Sequence, residues 1–155
     1  MDGYAALKSL HIIGVVLFVG NIVVTGWWKV MADRTGDPRV IAFAQRQVTL
    51  TDWVFTAGGV LMILAGGIGN LVIHGMTPTP PWAVLGEILF IASGVIWAAV
   101  LIPVQVRQAR MATTFADGGP IPPEYWNLCR LWTWFGILAT ILPLAVIPVM
   151  VFKAG

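Results

Sequence analysis

Two histidines and one carboxylate stand out in this 155-residue chain because their surroundings are so apolar. His11 and Glu87 each interrupt a long apolar run, and His74 follows a third run, with Met76 two residues later. Imidazole is a frequent metal ligand and also ligates haem iron, while a thioether suits Cu(I). These residue types predict a haem b site at His11 and His74, or a copper site formed by His11, His74, Glu87 and Met76.

Each of these residues also has a structural interpretation. A histidine on the inner face of a helix is often a hydrogen-bonded packing residue, and His74 lies in a polar, proline-rich loop. Glu87 is then a protonated core acid or a partner of Lys8. The chain has no nucleophile–base motif, phosphate-binding loop or HExxH pattern, so the sequence identifies no catalytic residue.

Four long apolar segments carry these residues, at roughly 4–28, 52–73, 82–104 and 128–152. Each is long enough for a membrane-spanning helix, which needs about 20 apolar residues. The chain is 58% hydrophobic and 10% charged, whereas soluble domains carry about 25% charged residues. We therefore expect an all-α membrane protein in which residues 1–155 form one domain, a four-transmembrane-helix antiparallel bundle.

The connectors between these segments differ in charge. Arginines and lysines crowd the first and third connectors and are absent from the second. By the positive-inside rule, the first and third connectors are cytoplasmic and both termini are extracytoplasmic. In the first connector, Asp37 and Pro38 form a helix start, and a short interfacial helix is expected to follow. The residues of this helix expected to touch the acyl boundary are Val40, Ile41 and Phe43.

Polar residues share one face of each segment when the chain is stepped at about 100° per residue. Because polar side chains that face lipid are costly, we expect this face to point into the bundle. Besides the histidines, the polar residues expected to point inward are Lys8, Asn21, Thr25, Asp52, Asn70 and Arg130. Asp52 is also interpreted as a helix N-cap and Arg130 as an interfacial side chain, or the two as an ion pair.

Small residues and prolines predict how the helices pack. Gly59 and Gly66 lie on one line of the second segment, so this helix can approach a neighbour closely or mediate a homo-oligomer. Pro143 should bend the last helix and free the carbonyl near Ala139. The lipid bilayer is the expected surrounding. The net charge of +2 is too small and scattered for a nucleic-acid partner.

Helix rise predicts the depth of the candidate ligands. His11 lies about 10 Å from the outer end of the first helix, and Glu87 roughly 8 Å from the outer end of the third. His74 caps the outer end of the second helix. We therefore expect these three side chains to meet in one pocket near the extracytoplasmic surface. The single cysteine, Cys129, excludes an internal disulfide and a multi-cysteine metal cluster.

Two long runs resemble a known family. The run ALKSLHIIGVVLFVGNIVVTGWWKVMADRTGDPRVIAFAQRQVTLTDWVFT is similar to the opening of a bacterial integral-membrane family, domain of unknown function 2269. The later run IPPEYWNLCRLWTWFGILATILPLAVIPVMVFK is similar to its ending. The resemblance implies a small four-helix protein of the bacterial inner membrane and assigns no activity.

A more distant resemblance concerns the first helix. Its form K-x-x-H-I-I-G-V-V resembles the HemJ-type protoporphyrinogen oxidases and the membrane domain of copper-resistance protein D. In the HemJ-type family the first-helix histidine is a haem b ligand, and that position is His11 here. This chain has Glu87 where that family carries basic and polar motifs in its third helix.

Three functions therefore remain open from the sequence. The first is a haem-binding redox protein with His11 as one axial ligand and His74 as the second. The second is a handler of copper or another metal at the outer face. The third is a non-catalytic structural or assembly protein whose polar stripes only satisfy helix packing.

Overall fold

The computed structural model describes residues 3–73 and 79–153, and almost all of them are helical. The helices are α1 (Gly3–Thr35), α2 (Pro38–Thr51), α3 (Ala57–Ile73), α4 (Pro81–Ile96), α5 (Ile102–Phe115) and α6 (Pro123–Phe152). A first π-turn, Asp52–Thr56, joins α2 to α3, and a second π-turn, Trp97–Leu101, joins α4 to α5.

The chain thus forms four long helices, here called spans 1 to 4 in chain order. They are Gly3–Thr35, Pro38–Ile73, Pro81–Phe115 and Pro123–Phe152, and each is long and apolar enough to cross a membrane. The predicted all-α, four-helix membrane class is confirmed. Many large apolar side chains on these helices are exposed, for example Val16, Leu61 and Ile91. Such surfaces suit helices surrounded by lipid, where backbone polar groups are satisfied within each helix.

The start of α2 is the one that the sequence predicts. Asp37 is the N-cap, its side chain accepts a hydrogen bond from the Arg39 backbone N–H at 2.8 Å, and Pro38 occupies the first turn. Of the side chains expected at the acyl boundary, Val40 and Phe43 are exposed, whereas Ile41 is only 1% exposed. Ile41 is buried because α2 packs against α5, and its side chain joins the core at this end of the molecule.

The α2/α5 end of the bundle contains an apolar core. Besides Ile41 it comprises Ala112, Phe115, Tyr125 and Cys129. The Phe115 and Tyr125 rings meet edge to face with centroids 5.3 Å apart, a favoured aromatic geometry. This core joins α2, α5 and the beginning of α6.

The two π-turns interrupt spans 2 and 3 without breaking them. The second lies just before Pro103, which has no N–H to donate and whose ring crowds the preceding turn, so a widened turn accommodates it. Before the first, the hydroxyls of Thr49 and Thr51 bond to backbone carbonyls four residues earlier, an arrangement that bends helices. The helix runs through Asp52, whose backbone is helical, so the N-cap interpretation of Asp52 is wrong.

The spans pack as two pairs, α1 against α3 and α4 against α6. Glycines allow the first pair to approach closely. A Cβ on Gly66 would lie 2.5 Å from the Leu7 carbonyl oxygen, and one on Gly14 would lie 2.8 Å from the Gly59 carbonyl oxygen. Gly59 and Gly66 therefore contact α1 of the same chain, and this part of the glycine stripe is not open to a second copy.

The second pair is joined by a hydrogen bond that depends on a proline. Pro143, inside α6, has no N–H for the Ala139 carbonyl four residues earlier. The Ser93 hydroxyl of α4 donates to that carbonyl at 2.6 Å. The predicted free carbonyl therefore exists, and a neighbouring helix satisfies it.

We predict that Gly66→Ala lowers the free energy of unfolding by about 1–3 kcal/mol, because the added methyl meets the backbone of α1. Gly58→Ala in the same helix is the matched control, since a Cβ there has nothing within 4 Å. The control should be neutral or slightly stabilising because alanine favours helix. Unfolding in detergent micelles measures both variants, and equal stability would contradict the close packing of α1 on α3.

Candidate functional site

A cleft of about 810 Å³ lies between the spans, and all four of them line it. Its walls are mostly apolar and include the rings of Phe18 and Phe90, which meet edge to face with centroids 5.7 Å apart. The residues of the lining that carry polar side-chain atoms are Thr25, Trp27, Trp28, Asp52, Thr56, Ser93, Trp97, Gln105, Trp132, Thr133 and Thr140. Large apolar pockets with a few convergent polar groups are the usual form of small-molecule sites.

Asp52 is the acidic residue of this lining. Its Oδ1 accepts hydrogen bonds from Asn21 Nδ2 at 3.1 Å and from the Thr56 hydroxyl at 3.0 Å. Asn21 Nδ2 also lies 2.9 Å from Thr56 Oγ1. Asp52 and Thr56 are 9% and 1% exposed. This triad ties α1 to the first π-turn and fixes one edge of the carboxyl group.

Most hydroxyl groups of the cleft are already used. Thr25, Thr133 and Thr140 each donate to a backbone carbonyl four residues earlier in their own helix. Ser93 donates to the carbonyl of Ala139. These four hydroxyl protons are therefore already donated within the protein. A ligand would form hydrogen bonds with the other polar groups of the lining.

Trp97 and Gln105 provide those groups. Trp97 Nε1 is buried and has no hydrogen-bond acceptor of normal geometry among the described residues. Gln105 Oε1 accepts from Trp132 Nε1 at 3.3 Å. The Trp97 indole and the Gln105 amide both lie close enough to Asp52 to act on its carboxyl group. A buried donor without an acceptor is rare in native proteins and calls for an explanation.

Both π-turns contribute side chains to this part of the cleft lining. Asp52 and Thr56 begin and end the first π-turn, and Trp97 begins the second. We call Asn21, Asp52, Thr56, Trp97 and Gln105 the polar corner of the cleft. π-turns are frequent at functional sites because they re-aim side chains within a continuous helix.

A second buried polar cluster lies towards the α2/α5 end. Lys29 is 1% exposed, and its Nζ lies 2.9 Å from Asp33 Oδ2, 3.1 Å from the Tyr125 hydroxyl and 3.7 Å from Cys129 Sγ. The Trp132 ring centroid lies 5.6 Å from the same nitrogen. A buried ammonium group needs such pairing. Asp33 neutralises Lys29, and the cluster joins α1 to α6.

His11 lies outside the cleft. Its Nδ1 is 2.9 Å from the carbonyl oxygen of Ile63. Its ring lies against Gly67 of α3, and its backbone nitrogen and Cβ lie against Gly66. Glu87 also lies outside the cleft lining, and its side chain is exposed on α4. His74 and Met76 fall outside the described residues, so the predicted pocket shared by His11, His74 and Glu87 stays a prediction.

Metal ligands do not cluster within the described parts of the chain. No three side chains of histidine, cysteine, aspartate or glutamate lie together there in a way that could hold a metal ion. A copper site at His11 would take further ligands from outside these parts, as the predicted role of His74 and Met76 already requires.

The other residues expected to point inward divide into two groups. Thr25, Asp52 and Asn70 are buried, and Asn21 is half-buried at the polar corner. The expected inward position does not hold for Lys8 and Arg130, because both side chains are exposed. Long cationic side chains near helix ends extend towards polar surroundings, which explains why these two are exposed.

Asp52 and Arg130 do not form the ion pair that the sequence allowed. Arg130 bonds to the side-chain oxygen of Asn127, one turn earlier in α6. Asp52 bonds to Asn21 and Thr56. The two charged groups therefore have separate partners.

Trp97 and Lys29 belong to polar clusters that the sequence did not predict. Trp97 is the tryptophan that lies well inside a predicted apolar segment, away from the membrane interfaces where tryptophans usually collect. Lys29 and Asp33 are four residues apart on one helix, a spacing that allows an ion pair. Neither the position of Trp97 nor the spacing of Lys29 and Asp33 predicts which residues of other helices they contact.

Comparison with known proteins identifies the family. Residues 5–154 match the family model described as predicted integral membrane protein (DUF2269), so the chain belongs to this family. No curated protein and no solved structure matches the chain. The distant resemblance to HemJ-type oxidases and copper-resistance protein D stays an expectation.

Proposed function

We propose that this member of the DUF2269 family of predicted integral membrane proteins binds a hydrophobic organic cation in the cleft, in exchange for a proton on Asp52. One observation carries the proposal: a buried carboxyl group lies at the corner of a large apolar cleft, and the side chains of the described residues that interact with it are all neutral. These groups are the side chains of Gln105, Thr56, Trp97 and Asn21.

Charge balance explains why the ligand is a cation. An isolated carboxylate in apolar surroundings is costly, so Asp52 holds either a proton or a positive partner. The buried cation nearest along α1, Lys29, is already paired with Asp33. A positive partner for Asp52 must therefore come from outside the bundle.

The walls of the cleft explain why that cation is hydrophobic and organic. Its volume of about 810 Å³ lies in the range of sites for drug-sized molecules. The rings of Phe18, Phe90, Trp97 and Trp132 line it, and aromatic faces attract organic cations. A strongly hydrated metal ion would find few oxygen ligands on these walls.

The exchange follows from competition for one carboxyl group. When the cation enters, the proton leaves Asp52 and the carboxylate pairs with the cation. When the proton returns, the pair is neutralised and the cation is released. Asn21 and Thr56 hold Oδ1 throughout, so the carboxyl group keeps its orientation in both states.

We predict that the detergent-purified protein binds tetraphenylphosphonium and that Asp52→Asn weakens this binding by about tenfold or more, because the ionic attraction is lost in a low-dielectric site. Glu87→Gln is the matched control, since it removes an exposed carboxylate of span 3 outside the cleft lining. Quenching of tryptophan fluorescence measures the affinity.

The pH dependence sharpens this test. Affinity should rise with pH for the unaltered protein, because fewer protons compete for Asp52, and should be independent of pH for Asp52→Asn. Neutral triphenylphosphine oxide should bind weakly to both. The proposal fails if Asp52→Asn binds the cation as tightly as the unaltered protein, or if the neutral compound binds equally well.

A second candidate function is haem b binding at His11, and the hydrogen bond of its ring favours it. A protonated Nδ1 donates to the Ile63 carbonyl, which leaves the lone pair of Nε2 available to iron. Ligating histidines usually have their other ring nitrogen held in this way. His74 is the proposed second ligand. The lone pair of Nε2 also suits the alternative copper site of His11, His74, Met76 and Glu87.

We predict for this second candidate that protein expressed with ample haem shows a Soret absorbance band that His11→Ala abolishes. Asp52→Asn is the control and should retain the band, since Asp52 lies in the cleft and His11 does not. Copper content that falls in His11→Ala without a Soret band would favour the metal alternative. Absence of both signals would leave the structural or assembly role, in which His11 only packs α1 on α3.

The orientation in the membrane is also a proposal. We place the α2/α5 end in the cytoplasm and both termini outside the bacterial inner membrane, because basic residues concentrate at that end. They include Arg34, Arg39, Arg46, Arg107 and Arg110. Alkaline phosphatase fused after Lys153 should be active, and the same enzyme inserted at Gly36 should be inactive. The reverse pattern would overturn this orientation.

A further inference from the structure

A groove of about 580 Å³ lies between α1 and α6, beside the cleft and nearer the α2/α5 end. Its lining includes two guanidinium groups, from Arg34 and Arg130, and the two indole rings of Trp126 and Trp134. We propose that this groove binds an anionic phospholipid, with the phosphate between the two arginines and an acyl chain along the seam of α1 and α6.

The charges of the groove favour an anion. Arg34 makes no hydrogen bond or ion pair with any residue that the structure describes, and Arg130 bonds only to the neutral side chain of Asn127. The acid of the lining, Asp33, is engaged by Lys29 and by the Tyr125 hydroxyl. The groove therefore presents two positive charges without local compensation.

The geometry of the groove favours a phosphate group. The two guanidinium groups come from different helices, the last turn of α1 and the third turn of α6, so they approach a ligand from two sides. Guanidinium groups bind phosphate oxygens with paired hydrogen bonds, which gives them an advantage over a single ammonium group. Basic pockets between membrane helices are typical places for anionic lipid headgroups.

The remaining walls favour a lipid over a soluble phosphate. Trp134 is 72% exposed, and tryptophans of membrane proteins usually lie at the level of the lipid headgroups. Val30 and Ile137 continue the groove as an apolar surface and also line the cleft. An acyl chain that follows these residues would stay on the apolar side of the interface while its phosphate contacts the arginines.

Native mass spectrometry of delipidated protein in detergent tests the proposal, with dioleoyl phosphatidylglycerol and dioleoyl phosphatidylcholine as the two probes. Phosphatidylglycerol should bind in preference. Changing both Arg34→Gln and Arg130→Gln should weaken its binding by roughly 30-fold, since each basic residue contributes about a fivefold effect. Arg110→Gln is the matched control, because Arg110 is exposed at the same end of the bundle but does not line the groove.

Three results would overturn the proposal. Equal retention of the two lipids would show that the groove does not select for charge. A loss in Arg110→Gln as large as in the double variant would show that diffuse surface charge is responsible. Competition by free glycerophosphoglycerol at the same concentration would show a site for phosphate alone. The single variant Arg130→Gln, with thermal unfolding as a folding control, repeats the test should the double variant not fold.

Discussion

The close contact between α1 and α3 is the constraint on which the rest of this structure depends. Gly14, Gly59 and Gly66 let the two backbones approach until a single added methyl group would collide. At this distance Asn21 reaches Asp52 and Thr56, and the His11 ring reaches the Ile63 carbonyl. In a bilayer, where apolar surface gives no driving force between helices, close packing and such hydrogen bonds hold helices together.

Two prolines lie within the helices of spans 3 and 4, Pro103 in α5 and Pro143 in α6. Each proline removes a backbone donor. The Ser93 hydroxyl satisfies the carbonyl freed by Pro143, and a π-turn precedes Pro103. The second π-turn brings Trp97 to the cleft opposite the first π-turn with Asp52. The polar corner therefore lies where the helices deviate from regular geometry. The buried Trp97 Nε1 there has no acceptor of normal geometry among the residues that the structure describes.

The cleft and the arginine-lined groove are neighbours, since both are lined by Val30, Thr133 and Ile137 at the seam of α1 and α6. The buried Lys29 cluster adjoins both and joins the two helices there without leaving a net charge. The ligand proposed for the cleft and the lipid proposed for the groove would therefore lie side by side along this seam.

The sequence by itself determined the membrane class, the four spans, the Asp37–Pro38 helix start, the carbonyl freed by Pro143 and the inward position of Asp52 and Asn70. These features follow from local rules: apolar length, capping chemistry, a missing N–H and helical periodicity. Only the tertiary structure decided that Asp52 bonds to Asn21, that Lys29 bonds to Tyr125, and that Glu87 is exposed. Those outcomes depend on which helices pair and on how each helix is rotated about its axis. Glycine contacts, prolines and π-turns set that rotation. They act between segments far apart in the chain, so no local sequence rule reveals it.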